Sequence, residues 1–236
     1  MNIIKDCNFI DLEKLDHPQK KKYFICTLNA QHLYQLRNDI LKKKYLHRLD
    51  LTIDSRWIKG FLQLMKRSES SVITGVMIFE KLIKISAKQN KNIYFLGASN
   101  MSNKAAIKKY REEHNKVAYG SSPNKQMLND KNFIYSLMKE FKEKKINYVF
   151  LAFGTPYQES FMAKWRNEFE SRTEVEVMIG SGAAIDFYSG FQHKCPKWIN
   201  KIGLEIFYRF FRDISWGRFL RILQSTLGLL YLRKIT

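Results

Sequence analysis

NYVFLAFGTPYQES, residues 147–160, passes from a strand pattern to a helix start almost without a loop. The apolar run stops at Gly154, and residues with helical spacing follow Thr155 directly. Such a junction is typical of α/β proteins, in which helices cross over between parallel strands. Thr155 is expected to cap this helix, Pro156 to take its first position, and Gln158 to complete a T-x-x-Q capping box.

The same alternation extends along most of the chain. Strands are predicted at 22–29, 48–54, 91–99, 147–154 and 175–182, and helices at 30–39, 57–67, 102–114, 156–169 and from 183 onward. This order predicts a Rossmann-like α/β fold over residues 1–195, with a parallel sheet covered by helices on both faces. Ligands bind such sheets outside the carboxyl ends of the strands. Four predicted strands end there in Gly or polar residues, at 27–29, 54, 97–100 and 154–155.

The composition predicts a folded protein with an anionic partner. Hydrophobic residues make up 45% of the 236 residues, and 41 Lys+Arg against 22 Asp+Glu give a net charge of +19. Nucleic acid, a phosphorylated substrate or acidic lipid would suit that charge, although solubilising lysines also contribute to it. Three scattered cysteines without C-x-x-C spacing favour free thiols in a reducing compartment. The longest apolar stretches fall far short of the ~20 residues that span a bilayer, so a cytoplasmic chain with at most peripheral membrane contact is expected.

Residues 196–236 differ from the rest of the chain in composition and are predicted to form a C-terminal helical appendage. They are rich in aromatic residues, leucine and arginine, and the strand pattern disappears. A basic amphipathic tail of this kind is typical of membrane-surface binding. A helix docked on the domain, or an apolar face buried between subunits of a homo-oligomer, would give the same pattern. The arginines of interest are Arg209, Arg212, Arg218 and Arg221.

Two helix starts at the carboxyl edge are candidate anion sites. Gln158 and Glu159 fall in the first turn after Gly154, where free N–H groups would face a diphosphate. LGASNMS, residues 96–102, repeats the strand–Gly–helix arrangement after Gly97, and Ser99, Asn100 and Ser102 could donate to phosphate or ribose. The alternatives are a capping role for the first pair and an ordinary α/β turn for the second.

Asp54 is the candidate general base, because it ends a short strand where burial would raise its pKa. A helix-capping role is the alternative. The chain has no Asp-x-Asp pair for a metal–nucleotide complex, and its five histidines lack ligand spacing, so no metal site is expected.

Taken in order, these segments resemble the WecG/TagA/CpsF family of bacterial glycosyltransferases. The resemblance covers most of the chain, with matching gaps, and its most specific segments are the last two. The segments are TLNAQHL at 27–33, Asp54, YFLGAS at 94–99, VFLAFGTPYQE at 149–159, GSGAAIDFYSG at 180–190 and CPKWINKIGLEIFYRFFRD at 195–213.

The resemblance implies a metal-independent, inverting transferase at the cytoplasmic membrane face. It would move a sugar, typically of the N-acetylmannosamine type, from a UDP-sugar to a polyprenyl-diphosphate-linked N-acetylglucosamine, in surface polysaccharide or teichoic acid synthesis. UDP-sugar is then a substrate, and no cofactor is expected. The anionic partners are the lipid-linked acceptor and an anionic membrane surface, not nucleic acid.

By position in the family motifs, Asp54 corresponds to the catalytic base. The resemblance implies substrate-binding roles for six further residues: Thr27, Asn29, Gln158, Glu159, Asp186 and, in the appendage, Arg209. Arg218 and Arg221 align with later arginines of the family only after a shift in register, and they are candidates as well. Gly97, Ser99 and Gly154 are candidate substrate-binding residues from their positions at the strand ends. Arginine beside the diphosphate would stabilise the UDP leaving group in place of a metal.

The sequence departs from the family pattern near Asp54. Ser55 replaces a Gly, and Val72 and Met77 stand where the family has Arg and Asp. Arg56 is a candidate to supply the missing charge. These departures keep a non-catalytic UDP- or lipid-binding role open, and the charge of +19 keeps a nucleic-acid-binding protein as the alternative from another class.

Overall fold

The computed structural model describes residues 8–10, 12–15, 22–41, 43–54, 72–193, 196, 220 and 222–228. These residues contain seven strands and seven α-helices, numbered here along the chain. The strands are β1 Asn8–Phe9, β2 Tyr23–Leu28, β3 Asp50–Ile53, β4 Asn92–Gly97, β5 Ala118–Ser121, β6 Ile146–Ala152 and β7 Val177–Gly180. The helices are α1 Ala30–Arg37, α2 Lys43–Leu46, α3 Gly75–Gln89, α4 Asn100–His114, α5 Lys131–Glu143, α6 Tyr157–Arg172 and α7 Ala184–Ser189.

All seven strands lie in one sheet in the order β1-β3-β2-β7-β6-β4-β5, and every pair is parallel. The predicted α/β class is confirmed, and the five predicted strands are present. Two short strands, β1 and β5, and three helices, α2, α3 and α5, were not predicted. The helix predicted at 57–67 lies outside the described residues.

Alternating side chains of the central strands supply two hydrophobic cores, one on each face of the sheet. In β6, Val149 and Leu151 belong to one core, whereas Tyr148 and Phe150 belong to the other. Helices α2, α5 and α6 pack on the first face, and α3, α4 and α7 on the second. Coverage of both faces is what an all-parallel sheet requires, and it explains the nearly continuous apolar runs of the strands.

The chain leaves the neighbouring strands β4 and β6 in opposite directions. From β4 it runs through α4 to β5 at the edge of the sheet, and from β6 it runs through α6 to β7 on the other side. Helices α4 and α6 lie on opposite faces, because Ala106 packs in one core and Phe161 in the other. Diverging connections open a crevice outside the carboxyl ends of the two strands, where ligands of doubly wound sheets bind.

Gly97 lets the ends of β4 and β6 approach closely at this crevice. Its φ is +102°, and a Cβ there would lie 2.9 Å from the carbonyl oxygen of Ala152. The next N–H, that of Ala98, donates to the same oxygen at 3.0 Å. The Nδ2 of Asn103 donates to the carbonyl oxygen of Gly97 at 2.9 Å, which fixes the turn from the side of α4.

The predicted capping box at the start of α6 is wrong. The N-cap position is Pro156, and no side chain caps the helix. The hydroxyl of Thr155 instead donates to Oε1 of Gln35 at 2.9 Å, and Nε2 of Gln158 donates to Oε1 of Glu159 at 2.8 Å. Both side chains therefore donate to buried acceptors, and the bond from Thr155 to Gln35 joins the start of α6 to α1.

The described part of the C-terminal tail, residues 222–228, is helical and packs against α1. Nε2 of Gln31 donates to Oε1 of Gln224 at 3.3 Å. Gly228 lies so close to the first turn of α1 that a Cβ on it would come within 2.2 Å of the carbonyl oxygen of Ala30. Leu223 and Leu227 remain exposed. Within the described ranges, no helix is long and apolar enough to cross a membrane.

Two glycine substitutions distinguish the cost of a left-handed backbone conformation from the cost of a steric clash with the neighbouring strand. Gly154 has a φ of +73° but open space around a Cβ, whereas Gly97 has both a positive φ and a backbone oxygen in the way. We expect Gly154→Ala to lower the free energy of unfolding by about 1–2 kcal/mol, the usual strain of a left-handed residue with a Cβ. Gly97→Ala should cost clearly more, measured by urea denaturation. Equal losses in the two variants would contradict the close approach of β4 and β6.

Candidate active site

The carboxyl edge of the sheet collects most of the candidate residues. Thr27 and Asn29 lie at the end of β2, and the parallel pairing of Leu28 with Ile53 places Asp54 beside them. Gly97 and Gly154 follow the ends of β4 and β6, which pair as neighbours. Strand ends that are far apart in the sequence therefore form one edge, as the strand pattern predicts.

Asp54 lies half-buried between β2 and the start of α3. Its backbone N–H donates to the carbonyl oxygen of Leu28 at 2.9 Å, which continues the β2–β3 pairing. Its carboxylate Oδ1 accepts the N–H of Gly75, the first residue of α3, at 3.3 Å. Thr74 is the N-cap of that helix, so Asp54 adds only a supporting contact to it. The helix predicted at 57–67, which Asp54 would precede, lies outside the described residues, so its capping by Asp54 stays an alternative. A partly accessible carboxylate at this edge is placed to accept a proton from a bound hydroxyl group.

Asn29 caps α1 through a capping box that includes a histidine. Its Oδ1 accepts the N–H groups of Gln31 at 3.0 Å and His32 at 3.3 Å. In return, Nδ1 of His32 lies 3.1 Å from the backbone N of Asn29 and 2.9 Å from its Oδ1. The amide of Asn29 is thereby held at the edge of the sheet, next to the end of β2.

His32 joins this cap to α6 through a buried ion pair. Its Nε2 lies 3.1 Å from Oε1 of Glu159, and the two side chains are 2% and 0% exposed. The same Oε1 accepts from Nε2 of Gln158. Gln158 is buried over Gly180, where a Cβ would come within 2.6 Å of its Nε2. Gly180 thus leaves the space in which Gln158 lies.

The protonation states of these groups depend on one another. Burial alone would raise the pKa of Glu159, but the charge of His32 and the hydrogen bonds from His32 and Gln158 lower it below its ordinary value. Burial opposes charge on His32, yet the neighbouring Cys26 sulfur and Glu159 carboxylate raise its pKa well above the ordinary value. Burial raises the pKa of the Cys26 thiol. The lowered pKa of Glu159 and the raised pKa of His32 both favour a charged pair.

Among the described residues, Cys26, His32 and Glu159 are the group whose donor atoms lie close enough together to surround a metal ion, all within 4.8 Å of one another. The hydrogen bonds indicate that these atoms bond to one another and do not await a metal ion. Oε1 of Glu159 can only accept, so Nε2 of His32 carries a proton in either charge state and offers no lone pair to a metal. The cluster therefore suits an internal hydrogen-bond network better than a metal centre.

The predicted polar residues around α4 bond mainly to one another. Ser99 caps α4 by accepting the N–H of Ser102 at 3.1 Å. The hydroxyl of Ser102 turns inward and donates to Oδ1 of Asp186 at 2.7 Å. Oδ2 of Asp186 also accepts from Nε2 of Gln192 at 3.3 Å. Asp186 thus ties α7 to the first turn of α4 while remaining half-buried at the same end of the sheet.

Four predicted arginines, Arg56, Arg209, Arg218 and Arg221, lie outside the described residues. The residues that sequence reasoning missed are buried partners, namely His32, Gln35, Asn103 and Gly180. His32 had a local signal, because it stands three residues after the cap residue Asn29, the spacing of a capping box. The contacts of Gln35, Asn103 and Gly180 depend on the tertiary structure.

Comparisons with known proteins identify the family of the chain. The family model described as the glycosyl transferase WecG/TagA/CpsF family matches residues 10–236. An N-acetylglucosaminyldiphosphoundecaprenol N-acetyl-beta-D-mannosaminyltransferase of Bacillus subtilis (strain 168) is 27% identical over 229 residues, covering 94% of this chain and 85% of the relative. The enzyme of the same name from Staphylococcus aureus (strain MRSA252) is 25% identical over 158 residues, covering 67% of this chain and 58% of its own length.

An α/β fold with its polar residues gathered at the carboxyl edge of a parallel sheet defines a ligand-binding enzyme of the doubly wound class. The chain belongs to the WecG/TagA/CpsF family of glycosyltransferases.

The His32–Glu159 pair predicts a specific dependence of stability on pH. A histidine with a raised pKa in the folded state stabilises fully below its unfolded pKa of about 6.5, and this contribution is lost as pH rises toward the folded value. We therefore expect the difference in unfolding free energy between wild type and His32→Gln to shrink as pH rises above about 6.5. Denaturant titrations at several pH values measure it.

The exposed His47 supplies the control for this titration. His47→Gln should leave the pH dependence of wild type intact, because the ring of His47 is exposed to solvent. A wild-type advantage over His32→Gln that is constant across this pH range would show that His32 is not charged in the folded protein.

Proposed function

We propose that the protein transfers a sugar, of the N-acetylmannosamine type, from a UDP donor to a polyprenyl-diphosphate-linked N-acetylglucosamine. The observation that carries this proposal is the position of Asp54, a half-buried carboxylate at the carboxyl edge, between β2 and the start of α3. Family membership supplies the class of reaction. The names of the Bacillus and Staphylococcus relatives supply the sugar and the lipid-linked acceptor.

In the proposed reaction, Asp54 accepts the proton of the attacking hydroxyl group of the acceptor. The hydroxyl oxygen forms a bond to the anomeric carbon from the face opposite UDP, while the bond from that carbon to the diphosphate oxygen breaks. The electron pair of the broken bond leaves with UDP, and the configuration of the anomeric carbon inverts. A base within hydrogen-bond reach of the hydroxyl contributes typically about 10²–10⁴-fold to such a step.

The developing charge on UDP requires a positive counterpart. We propose that arginines supply it, with Arg209, Arg218 and Arg221 of the appendage and Arg56 after β3 as candidates, so that transfer needs no metal. Thr27, Asn29, Gly97, Ser99, Gly154 and Gln158 would line the donor pocket. The appendage, residues 196–236, would bring this charge to the anionic surface of the cytoplasmic membrane, where the acceptor resides.

The departures from the family pattern lie next to the proposed base. Val72 forms a β-bridge with Ile53, the residue before Asp54. Met77 stands in the first turn of α3 and is 44% exposed. Because Val72 and Met77 are apolar where the family resemblance implies Arg and Asp, the donors to be tested include UDP-sugars other than the N-acetylmannosamine type. A non-catalytic role in binding UDP or lipid is the second candidate, since the same two positions have lost both charges.

The first test is transfer from a panel of UDP-sugars to a short-chain polyprenyl-diphosphate N-acetylglucosamine, with and without EDTA. We expect transfer that EDTA does not reduce and that falls by about 10²-fold or more in Asp54→Asn, because the amide cannot accept the proton. The responding donor would define the sugar.

Asp130→Asn serves as the matched control, since Asp130 is an exposed helix cap far along the chain from the proposed base. It should transfer at the wild-type rate. UDP binding without turnover of any donor would favour the non-catalytic role, and equal activity in Asp54→Asn and wild type would exclude Asp54 as the base.

A further inference from the structure

Glu159 is placed where a sugar cannot reach it. Its side chain is 0% exposed, and its Oε1 accepts hydrogen bonds from both His32 and Gln158. Its other oxygen, Oε2, is also buried and receives no hydrogen bond from the described part of the chain, so a direct contact with substrate, which the family resemblance suggests for this residue, would require the side chain to become exposed. Desolvating a carboxylate is costly in free energy. The burial of Glu159 therefore indicates that its carboxylate orients the protein groups that donate to it.

The first neighbour, His32, transmits this constraint to Asn29. Nε2 of His32 donates to Glu159, which fixes the plane and direction of the ring. Nδ1, on the opposite side of the ring, then lies within 3.1 Å of both the backbone N and the Oδ1 of Asn29. In the neutral ring Nδ1 accepts from the backbone N–H, and in the charged ring it donates to Oδ1. Either form holds Asn29 at the end of β2.

The second neighbour, Gln158, is held on the other wall of the crevice. Its Nε2 donates to Glu159, and the bare backbone of Gly180 leaves room for its side chain. Oε1 of Gln158 receives no hydrogen bond from the described part of the chain. Glu159 thus orients one residue on the β2–α1 side and one on the β6–α6 side.

We propose that Glu159 is a positioning residue, which couples the two walls of the candidate active site by holding Asn29 through His32 and Gln158 directly. The kinetic part of this proposal rests on the proposed transferase function, whereas its structural part does not. Cys26 of β2 faces the pair, with its Sγ 3.7 Å from Nε2 of His32, and Asp54 at the end of β3 is near enough to raise the pKa of the Cys26 thiol.

The test compares Glu159→Gln with Asp50→Asn, a second buried carboxylate at the amino end of the same sheet. Asp50 is 2% exposed, accepts the N–H of Phe24 at 3.0 Å and lies 3.5 Å from Nη1 of Arg166. Each substitution replaces a buried carboxylate by its amide, and both variants should lose stability. Only Glu159 belongs to the proposed hydrogen-bond network.

Backbone hydrogen exchange, followed by NMR, provides the readout that does not depend on activity. The N–H groups of Gln31 and His32 donate to Oδ1 of Asn29, so they report its orientation. In Glu159→Gln we expect these two amides to exchange at least about 10-fold faster than in wild type, beyond the change caused by global stability. In Asp50→Asn the faster exchange should be local to Phe24.

Donor kinetics provide the second readout. We expect kcat/KM for the UDP-sugar to fall by as much as about 100-fold in Glu159→Gln, the scale that a misplaced binding group can cause, and to stay at the wild-type value in folded Asp50→Asn. The variant should also gain a pH dependence of kcat/KM near the ordinary histidine pKa of about 6.5, since His32 loses its carboxylate partner. If Glu159→Gln does not fold, Glu159→Asp, which keeps the charge but withdraws it by one methylene group, should show both changes in weaker form.

Each result has a distinct meaning. Protected Gln31 and His32 amides together with reduced transfer would overturn the proposal in favour of a direct substrate contact, and unchanged amides with unchanged transfer would also overturn it. Faster exchange in Glu159→Gln while wild type transfers no sugar would support the positioning role and reject the transferase function. Faster exchange with unchanged kinetics would overturn the coupling of Glu159 to the active site.

Discussion

The divergence of the chain from β4 and β6 is the constraint on which the candidate site depends. Two parallel neighbours whose crossovers lie on opposite faces leave their carboxyl ends uncovered, and the residues that follow them face a crevice. The close contact at Gly97 and the hydrogen bond from Ala98 to Ala152 hold these ends together. The ends of β2, β3 and β7 add their polar residues to the same edge, so the position of the site follows from the topology.

The buried charges of His32 and Glu159 are a second determinant of the candidate site. Asn29 follows β2 and Gln158 lies in the first turn of α6, and the hydrogen bonds of both side chains run to the buried His32 and Glu159. Buried polar groups need partners, and a pair in which each member satisfies the other can hold a single arrangement. The contact from Thr155 to Gln35 joins the same two walls again.

Sequence reasoning located the strands and the edge of the site, because burial on both faces produces apolar runs that end sharply in Gly or polar residues. It missed β5, whose residues AYGS carry no such run. It also missed α3 and α5, although both place apolar residues on one face, such as Ile78 and Leu82 in α3. The failure at Thr155 has a different cause. TPYQ is compatible with a local cap, and the partner that replaces it, Gln35, lies 120 residues away in the chain.

The place of β2 in the sheet has a consequence for how the chain reaches its native state. Its two neighbours are β3 and β7, and β7 begins only at Val177. Until that strand is synthesised, one edge of β2 has no partner, and His32 lacks the α6 carboxylate that lies 127 residues further along. Unpaired edges of this kind expose an emerging polypeptide to self-association, and long-range pairings form slowly. The edge that carries the candidate site is therefore completed only after β7 has been synthesised, and products truncated before Val177 are expected to engage chaperones or aggregate.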